Sequence, residues 1–270
     1  MSNCDHNCSS CGKDCAERIT TLQANESSNI KKIIGVVSGK GGVGKSSVTS
    51  LLATAATKMG YKCAILDADI TGPSIPSAFG LNGFLTGDGK TIQPAVTSTG
   101  IKVVSTNLIL AQKGEPVLWR GPIIASLVKQ FFTEVNWGEV DYMFVDMPPG
   151  TGDVSLTVFQ SIPLDGVVIV ATPQQLVSLI VEKAVRMAEM MNINIYGLIE
   201  NMSYIICDEC GHKVELFGKD STELLAQRFN LDILAKLPLD PSLATYVDEG
   251  NIENYDCPLA QEVMEKLISK

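Results

Sequence analysis

Residues 39–46 read G-K-G-G-V-G-K-S. They follow the apolar run K-K-I-I-G-V-V-S and precede S-V-T-S-L-L-A-T-A-A-T-K-M-G. No other stretch restricts the fold as much. The pattern G-x-x-x-x-G-K-[ST] works where a strand ends, a glycine loop turns its N–H groups inward, and a helix begins. The sequence supplies all three. The nucleotide-contacting stretch is therefore Gly39, Lys40, Gly41, Gly42, Val43, Gly44, Lys45, Ser46 and Ser47. Lys45 is expected at the β- and γ-phosphates of ATP and Ser46 at Mg²⁺, with the helix dipole adding positive potential.

Further short runs, C-A-I-L-D, I-K-V-V-S, Y-M-F-V-D, G-V-V-I-V-A, I-Y-G-L-I-E-N and D-I-L-A-K-L, are continuous rather than alternating. That suits strands buried on both faces of a parallel sheet. G-P-I-I-A-S-L-V-K-Q-F-F-T-E-V and L-V-S-L-I-V-E-K-A-V-R-M-A-E-M-M have helical spacing. The alternation predicts an α/β, doubly wound, mostly parallel sheet of the P-loop NTPase fold over residues 31–270. Residues 80–100 fit neither template and read as a long loop or small hairpin. Residues 1–30 are rich in Ser, Asn and Cys and poor in aliphatics, which predicts a Cys-rich, metal-binding extension without a core of its own.

The formal charge of −9 disfavours long-range attraction to nucleic acid or anionic lipid. No run of eighteen apolar residues exists, so no membrane span is expected. The first twenty residues lack an apolar signal core, so no secretory signal is expected and a cytoplasmic location follows. Eight cysteines in such a chain point to metal or burial rather than disulfides.

Three carboxylates end strands where ligands bind in open α/β sheets: Asp67 and Asp69 in L-D-A-D-I-T-G-P-S, and Asp146 in V-D-M-P-P-G-T-G-D. Asp146 has the position of a partner to the Mg²⁺ shell. The Gly150 N–H is placed to sense a γ-phosphate and move when it leaves. Asp153 suits either a supporting role or the N-cap of the next helix. Asn201, closing I-Y-G-L-I-E-N, has an amide able to pair with an adenine edge. Turn chemistry accounts for Pro238 and Asp240 in K-L-P-L-D-P as well as ligand contact does.

K-G-G-V-G-K-S, with its second lysine, resembles the deviant P-loop ATPases, a class that includes MinD, ParA and the nitrogenase iron protein. The resemblance implies that Lys40 reaches the partner's nucleotide across a dimer. It assigns the attacking water to Asp69 and the Mg²⁺ shell to Asp67. Asn201, Pro238 and Asp240 fall where those proteins line the base pocket.

L-D-A-D-I-T-G-P-S, V-D-M-P-P-G-T-G-D and E-N-M-S-Y-I-I-C-D-E-C together resemble the Mrp/ApbC family of iron–sulfur cluster carriers over roughly residues 31–268. MinD and ParA lack a Cys-x-x-Cys after N-M-S. In this family the pair, here Cys207 and Cys210, binds a cluster between two subunits. The chemistry agrees, since two thiolates cannot complete a four-ligand site and a symmetric dimer supplies four. C-D-E-C-G-H also looks like half a zinc ribbon, so zinc stays open, and His212 reads as a surface residue. Cys4, Cys8, Cys11 and Cys15, spaced C-x₃-C-x₂-C-x₃-C, supply ligands for one [4Fe–4S] cluster or for zinc. A eukaryotic relative carries a four-Cys motif with wider spacing. Cys63 and Cys257 carry no assigned role.

The resemblance thus implies a homodimeric, slow ATPase that assembles [4Fe–4S] clusters and transfers them to apo iron–sulfur proteins, served by upstream assembly factors. The catalytic set is Lys40, Lys45, Asp69 and Asp146. No nucleic acid or membrane partner is expected. The alternative is a spatial-organisation ATPase of the MinD/ParA kind with structural zinc at the cysteines.

Overall fold

The computed structural model describes residues 21–69, 72, 74–87, 89, 91–109, 121–173, 177–207, 209–216 and 221–270. Cys4, Cys8, Cys11 and Cys15 lie outside the described residues.

Strand and helix alternate along the chain. β1 (Asn29–Ser38) leads to α1 (Lys45–Lys58), β2 (Cys63–Asp67) and a one-turn α2 (Ile75–Ala78). Four short strands follow: β3 (Thr86–Gly87), β4 (Ile92–Gln93), β5 (Ala95–Val96) and β6 (Lys102–Val104). Next come α3 (Gly121–Glu134), β7 (Glu139–Asp146), α4 (Asp153–Ser161), β8 (Gly166–Ala171), α5 (Val177–Met190) and β9 (Ile195–Glu200). The last part holds β10 (Ile205–Ile206), β11 (Lys213–Val214), α6 (Ser221–Arg228), β12 (Ile233–Lys236), α7 (Pro241–Asp248) and α8 (Pro258–Ile268).

Among the described residues the main sheet has eight strands in the order β12-β9-β8-β1-β7-β2-β6-β5. All its pairings are parallel except β5 with β6. Helices cover both faces, which is why the strand sequences are continuously apolar. In β1, Ile34 and Val36 join one core with Leu51 and Leu52 of α1 and Val263 and Met264 of α8. Ile33 and Val37 point the other way, into a core with Phe131 and Phe132 of α3 and Val185 of α5. The two-residue period of a strand thus divides one apolar run between two cores. Trp137 closes the second core, fully buried, its indole N–H donating to the Phe131 carbonyl at 3.2 Å.

The structure sharpens three expectations. The ordered domain starts before residue 31. β1 begins at Asn29, the Leu22 N–H donates to the Ser161 carbonyl at 2.7 Å, and Leu22 and Ala24 pack against the core. The few aliphatics of this segment suffice because a preformed sheet and α4 receive them. Of the two readings for residues 80–100 the small hairpin is the one formed, as β3–β4, and the edge strand β5 follows it. Asp153 is the first residue of α4, and Gly152 takes the cap position.

Candidate functional site

β1 ends at the centre of the sheet, between β7 and β8. The loop after it must turn within a few residues into α1. Gly44 makes that turn as the residue before the helix, with φ of 76°. A Cβ there would lie 2.3 Å from the Asn201 amide nitrogen, so both conformation and space demand glycine. No side chain caps α1, so its first-turn N–H groups are left for a ligand. The loop frames a cleft of about 380 Å³, lined by Lys40, Gly41, Gly42, Val43, Gly44, Lys45, Ser46 and Ser47 with Asp69, Gly72, Ser74 and Pro149.

Asp67 and Asp146 are register partners on adjacent strands, so their carboxylates meet at one sheet edge. The fully buried Asp146 is the hub. Its Oδ1 lies 2.8 Å from Lys45 Nζ, and its Oδ2 accepts from Ser46 Oγ at 2.6 Å. Thr49 Oγ1 donates to Oδ1 at 2.8 Å. Asp69 lines the cleft, with Oδ2 3.6 Å from Lys45 Nζ. Lys45 is therefore paired with two carboxylates at once, Asp146 and Asp69.

Asp67 stands behind the cleft rather than in its wall. Ser105 Oγ donates to its Oδ2 at 2.8 Å, and the Asp69 N–H donates to its Oδ1 at 3.1 Å. Burial, and then the neighbouring Asp146, pushes the Asp67 carboxyl well above the usual range. Its visible contacts thus fix the backbone of Asp69. Gly150, at φ 81°, donates its N–H to the Ser38 carbonyl at 2.8 Å.

The base-side residues differ in setting. Asn201 is buried, and its Nδ2 donates to the Val43 carbonyl at 2.9 Å, so the amide touches the phosphate loop. Asp240 N-caps α7, accepting from the Ser242 N–H at 2.8 Å, and takes the Tyr255 hydroxyl at 2.7 Å. Burial would raise its carboxyl, but these bonds hold it below the ordinary value. Pro238 is half-buried beside it in sequence.

Cys207 and Cys210 occupy the turn joining β10 to β11. The Cys207 N–H donates to the His212 carbonyl at 2.9 Å, and the Gly211 N–H donates to the Cys207 carbonyl at 2.8 Å. Cys207 is half-buried, and Cys210 and His212 are exposed. Among the described residues no group of three or more His, Cys, Asp or Glu is placed to hold a metal ion. Cys63 is buried in β2, its thiol pushed up to about 11 by burial. Cys257 takes the residue before α8.

Thr49 and Ser105 were not anticipated from the sequence. Thr49 lies three residues after Ser46, on the same helix face, a spacing that could have revealed it. Ser105 reaches Asp67 only because β6 pairs with β2, which nothing local encodes.

The sheet order and phosphate loop define a P-loop NTPase of the ParA/MinD class. The chain belongs to the NUBPL iron-transfer P-loop NTPases, whose family model matches residues 29–270. It is 44% identical over 272 residues to the iron-sulfur cluster carrier protein of Clostridium perfringens, covering 96% of this chain and 95% of that one. The Saccharolobus solfataricus protein of the same name is 44% identical over 241 residues, covering 87% and 81%. A nucleotide-binding protein from Archaeoglobus fulgidus, solved with ADP, superposes with a TM-score of 0.76 at 42% identity over 85% of this chain and 90% of that one. MinD of Pyrococcus furiosus shares the fold, with a TM-score of 0.63 at 19% identity over 88% and 98%.

Proposed function

We propose that this chain is an ATP-switched carrier that assembles [4Fe–4S] clusters and passes them to apo iron–sulfur proteins. The observation that carries the reading is the Cys207/Cys210 turn. It places two thiols, one half-buried and one exposed, three positions apart in a single tight turn, in a chain of the iron-transfer family. Two copies in a homodimer supply Cys207 and Cys210 twice, which completes four thiolates around the cargo. Cys4, Cys8, Cys11 and Cys15 supply ligands for a second [4Fe–4S] cluster or for zinc, and upstream assembly factors serve the chain. The protein works in the cytoplasm.

In this reading Lys45 leaves Asp146 and Asp69 for the β- and γ-phosphates, and Asp69 then orients the attacking water. Lys40 reaches the partner's nucleotide. Ser46, backed by Asp146, presents the hard oxygen donors that suit Mg²⁺, with Asp67 behind them. When bound, that ion neutralises phosphate charge. The Gly150 N–H exchanges the Ser38 carbonyl for the γ-phosphate and reports hydrolysis. Asn201, Pro238 and Asp240 are the base-side residues. A buried, pre-paired site with one water-orienting carboxylate suits a slow ATPase whose hydrolysis acts as a switch.

The test is iron, sulfide and zinc content after anaerobic reconstitution, with sedimentation, for the parent chain and Cys207→Ala/Cys210→Ala. Loss of about four iron per dimer in the variant, with iron kept at the amino terminus, is expected. Zinc retained against reconstitution, with no cluster absorbance, would replace the carrier by a MinD/ParA-like organiser with structural zinc.

A further inference from the structure

The segment that leads into the cysteine turn is also the segment that holds the phosphate loop. Asn201 ends β9's run, and Cys207 follows six residues later. The Asn201 N–H donates to the Ala171 carbonyl at 2.7 Å, and its Nδ2 donates to the Val43 carbonyl at 2.9 Å. Gly44 is hydrogen-only because Asn201 fills the space where a Cβ would stand. Met202 is next, at φ 56°, with its Cε 3.5 Å from that same Cβ position. A long side chain in the left-handed region is held there by its surroundings. Ser203 is then fixed on both sides: its N–H donates to the Leu237 carbonyl at 2.8 Å, and its hydroxyl donates to the buried Glu200 carboxylate. The Tyr204 carbonyl accepts from the Leu239 N–H at 2.8 Å, and the Tyr204 ring receives Lys213 Nζ at 4.5 Å. Lys213 belongs to β11, on the far side of the cysteine turn.

We propose that Asn201–Tyr204 is a strut that positions the Cys207/Cys210 turn against the phosphate loop, with Asn201 as the positioning residue at its loop end. Asn201, Ser203 and Tyr204 are each hydrogen-bonded to another part of the fold, so little slack separates Val43 from Cys207. When phosphate draws the loop's N–H groups, the Val43 carbonyl shifts, and the Asn201 amide carries the shift to the turn. The route runs within one chain and needs no partner copy. It rests on the reading of Cys207 and Cys210 as the cargo site, but it concerns their placement rather than what they hold.

The experiment is peptide-resolved hydrogen exchange on the full reduced chain, without iron. It compares the chain free and saturated with Mg·ADP, for the parent, Asn201→Ala and Asn201→Asp. Asn201→Asp keeps the shape but turns an acceptor toward the Val43 carbonyl. Because Asn201 is also a base-side residue, Mg·ADP is raised in each sample until the protection of residues 39–50 levels off, and sedimentation confirms that the association state is unchanged. In the parent, Mg·ADP changes exchange across residues 205–214. In both variants without nucleotide, exchange across 205–214 rises about fivefold, the effect of losing one buried hydrogen bond, and the response to Mg·ADP disappears. Parent exchange at 205–214 that ignores bound Mg·ADP overturns the strut, as do variants whose turn exchanges and responds like the parent's. Neither result depends on cluster loading, so failure of the carrier reading is seen separately in the iron analysis.

Discussion

Replacing Thr49 with valine tests the claim that Asp146 is held by a complete set of donors. The carboxylate is fully buried and takes Lys45 Nζ and Thr49 Oγ1 on Oδ1, each at 2.8 Å, and Ser46 Oγ on Oδ2 at 2.6 Å. Thr49 also lies 3.0 Å from the Lys45 carbonyl, yet its hydroxyl has one proton. The charged acceptor is the stronger partner, so the proton goes to Asp146. Valine nearly preserves the volume, so no cavity forms and the change isolates the donor. A lost hydrogen bond to a buried charge costs about 1.5–3 kcal/mol. For a chain of this size a loss of about 2 kcal/mol lowers Tm by roughly 4–8 °C. Urea unfolding followed by circular dichroism measures it. ADP titration supplies the contrast: Thr49 does not line the cleft, so affinity falls less than in Lys45→Ala. A stability within about 0.5 kcal/mol of the parent would refute the reasoning, because it would mean that the carboxylate does not use this donor.

Other substitutions probe the neighbouring claims. Burial, and then Asp146, raises the Asp67 pKa, so Asp67 adds stability below its unfolded pKa and loses it as pH rises through the folded one. Asp67→Asn should remove that fall, which denaturation midpoints between pH 4 and pH 8 would show, and a parent-like profile would refute it. Gly44→Ala should abolish ADP binding in calorimetry, since its Cβ would meet Asn201 at 2.3 Å and its φ of 76° is left-handed. Glu253 is the converse of Asp67. Burial pushes its carboxyl up, but bonds from Ser98, Thr97 and Thr99 hold it below the usual value. Its contribution is present above the unfolded pKa and lost as pH falls, so Glu253→Gln should cost about 1–3 kcal/mol at neutral pH and less in acid. Ellman's reagent at pH 8 should label Cys207 and Cys210 in the native chain and spare Cys63, whose thiol stands at about 11. Labelling of Cys63 at the rate of Cys210 would contradict its burial.

Much of this architecture was legible in advance because its signals are local. Each Val/Ile-rich run became a strand of the sheet, and the three stretches with helical spacing became α1, α3 and α5. Both patterns depend on neighbours a few residues apart, which a linear reading captures. The β3–β4 hairpin and the early start of the domain at residues 21–28 were less legible. Their ordering depends on contacts with α4 and with the second core, made by residues far away in the chain.

The site divides in the same way. The sequence by itself determined the phosphate loop, the strand-end carboxylates and the cysteine spacing, because each is a run of residue types whose chemistry follows from order alone. Which carboxylate faces the cleft depends instead on contacts between distant strands. Asp67 and Asp69 are two residues apart, yet Ser105 holds one inward and the other lies beside Lys45. The tertiary fold also decided that Asn201 touches Val43 from 158 positions away, and so joined the loop to the cysteine turn. Packing brings those partners together, and packing is a property of the whole sheet, with β8-β1-β7-β2 at its centre, not of any segment within it.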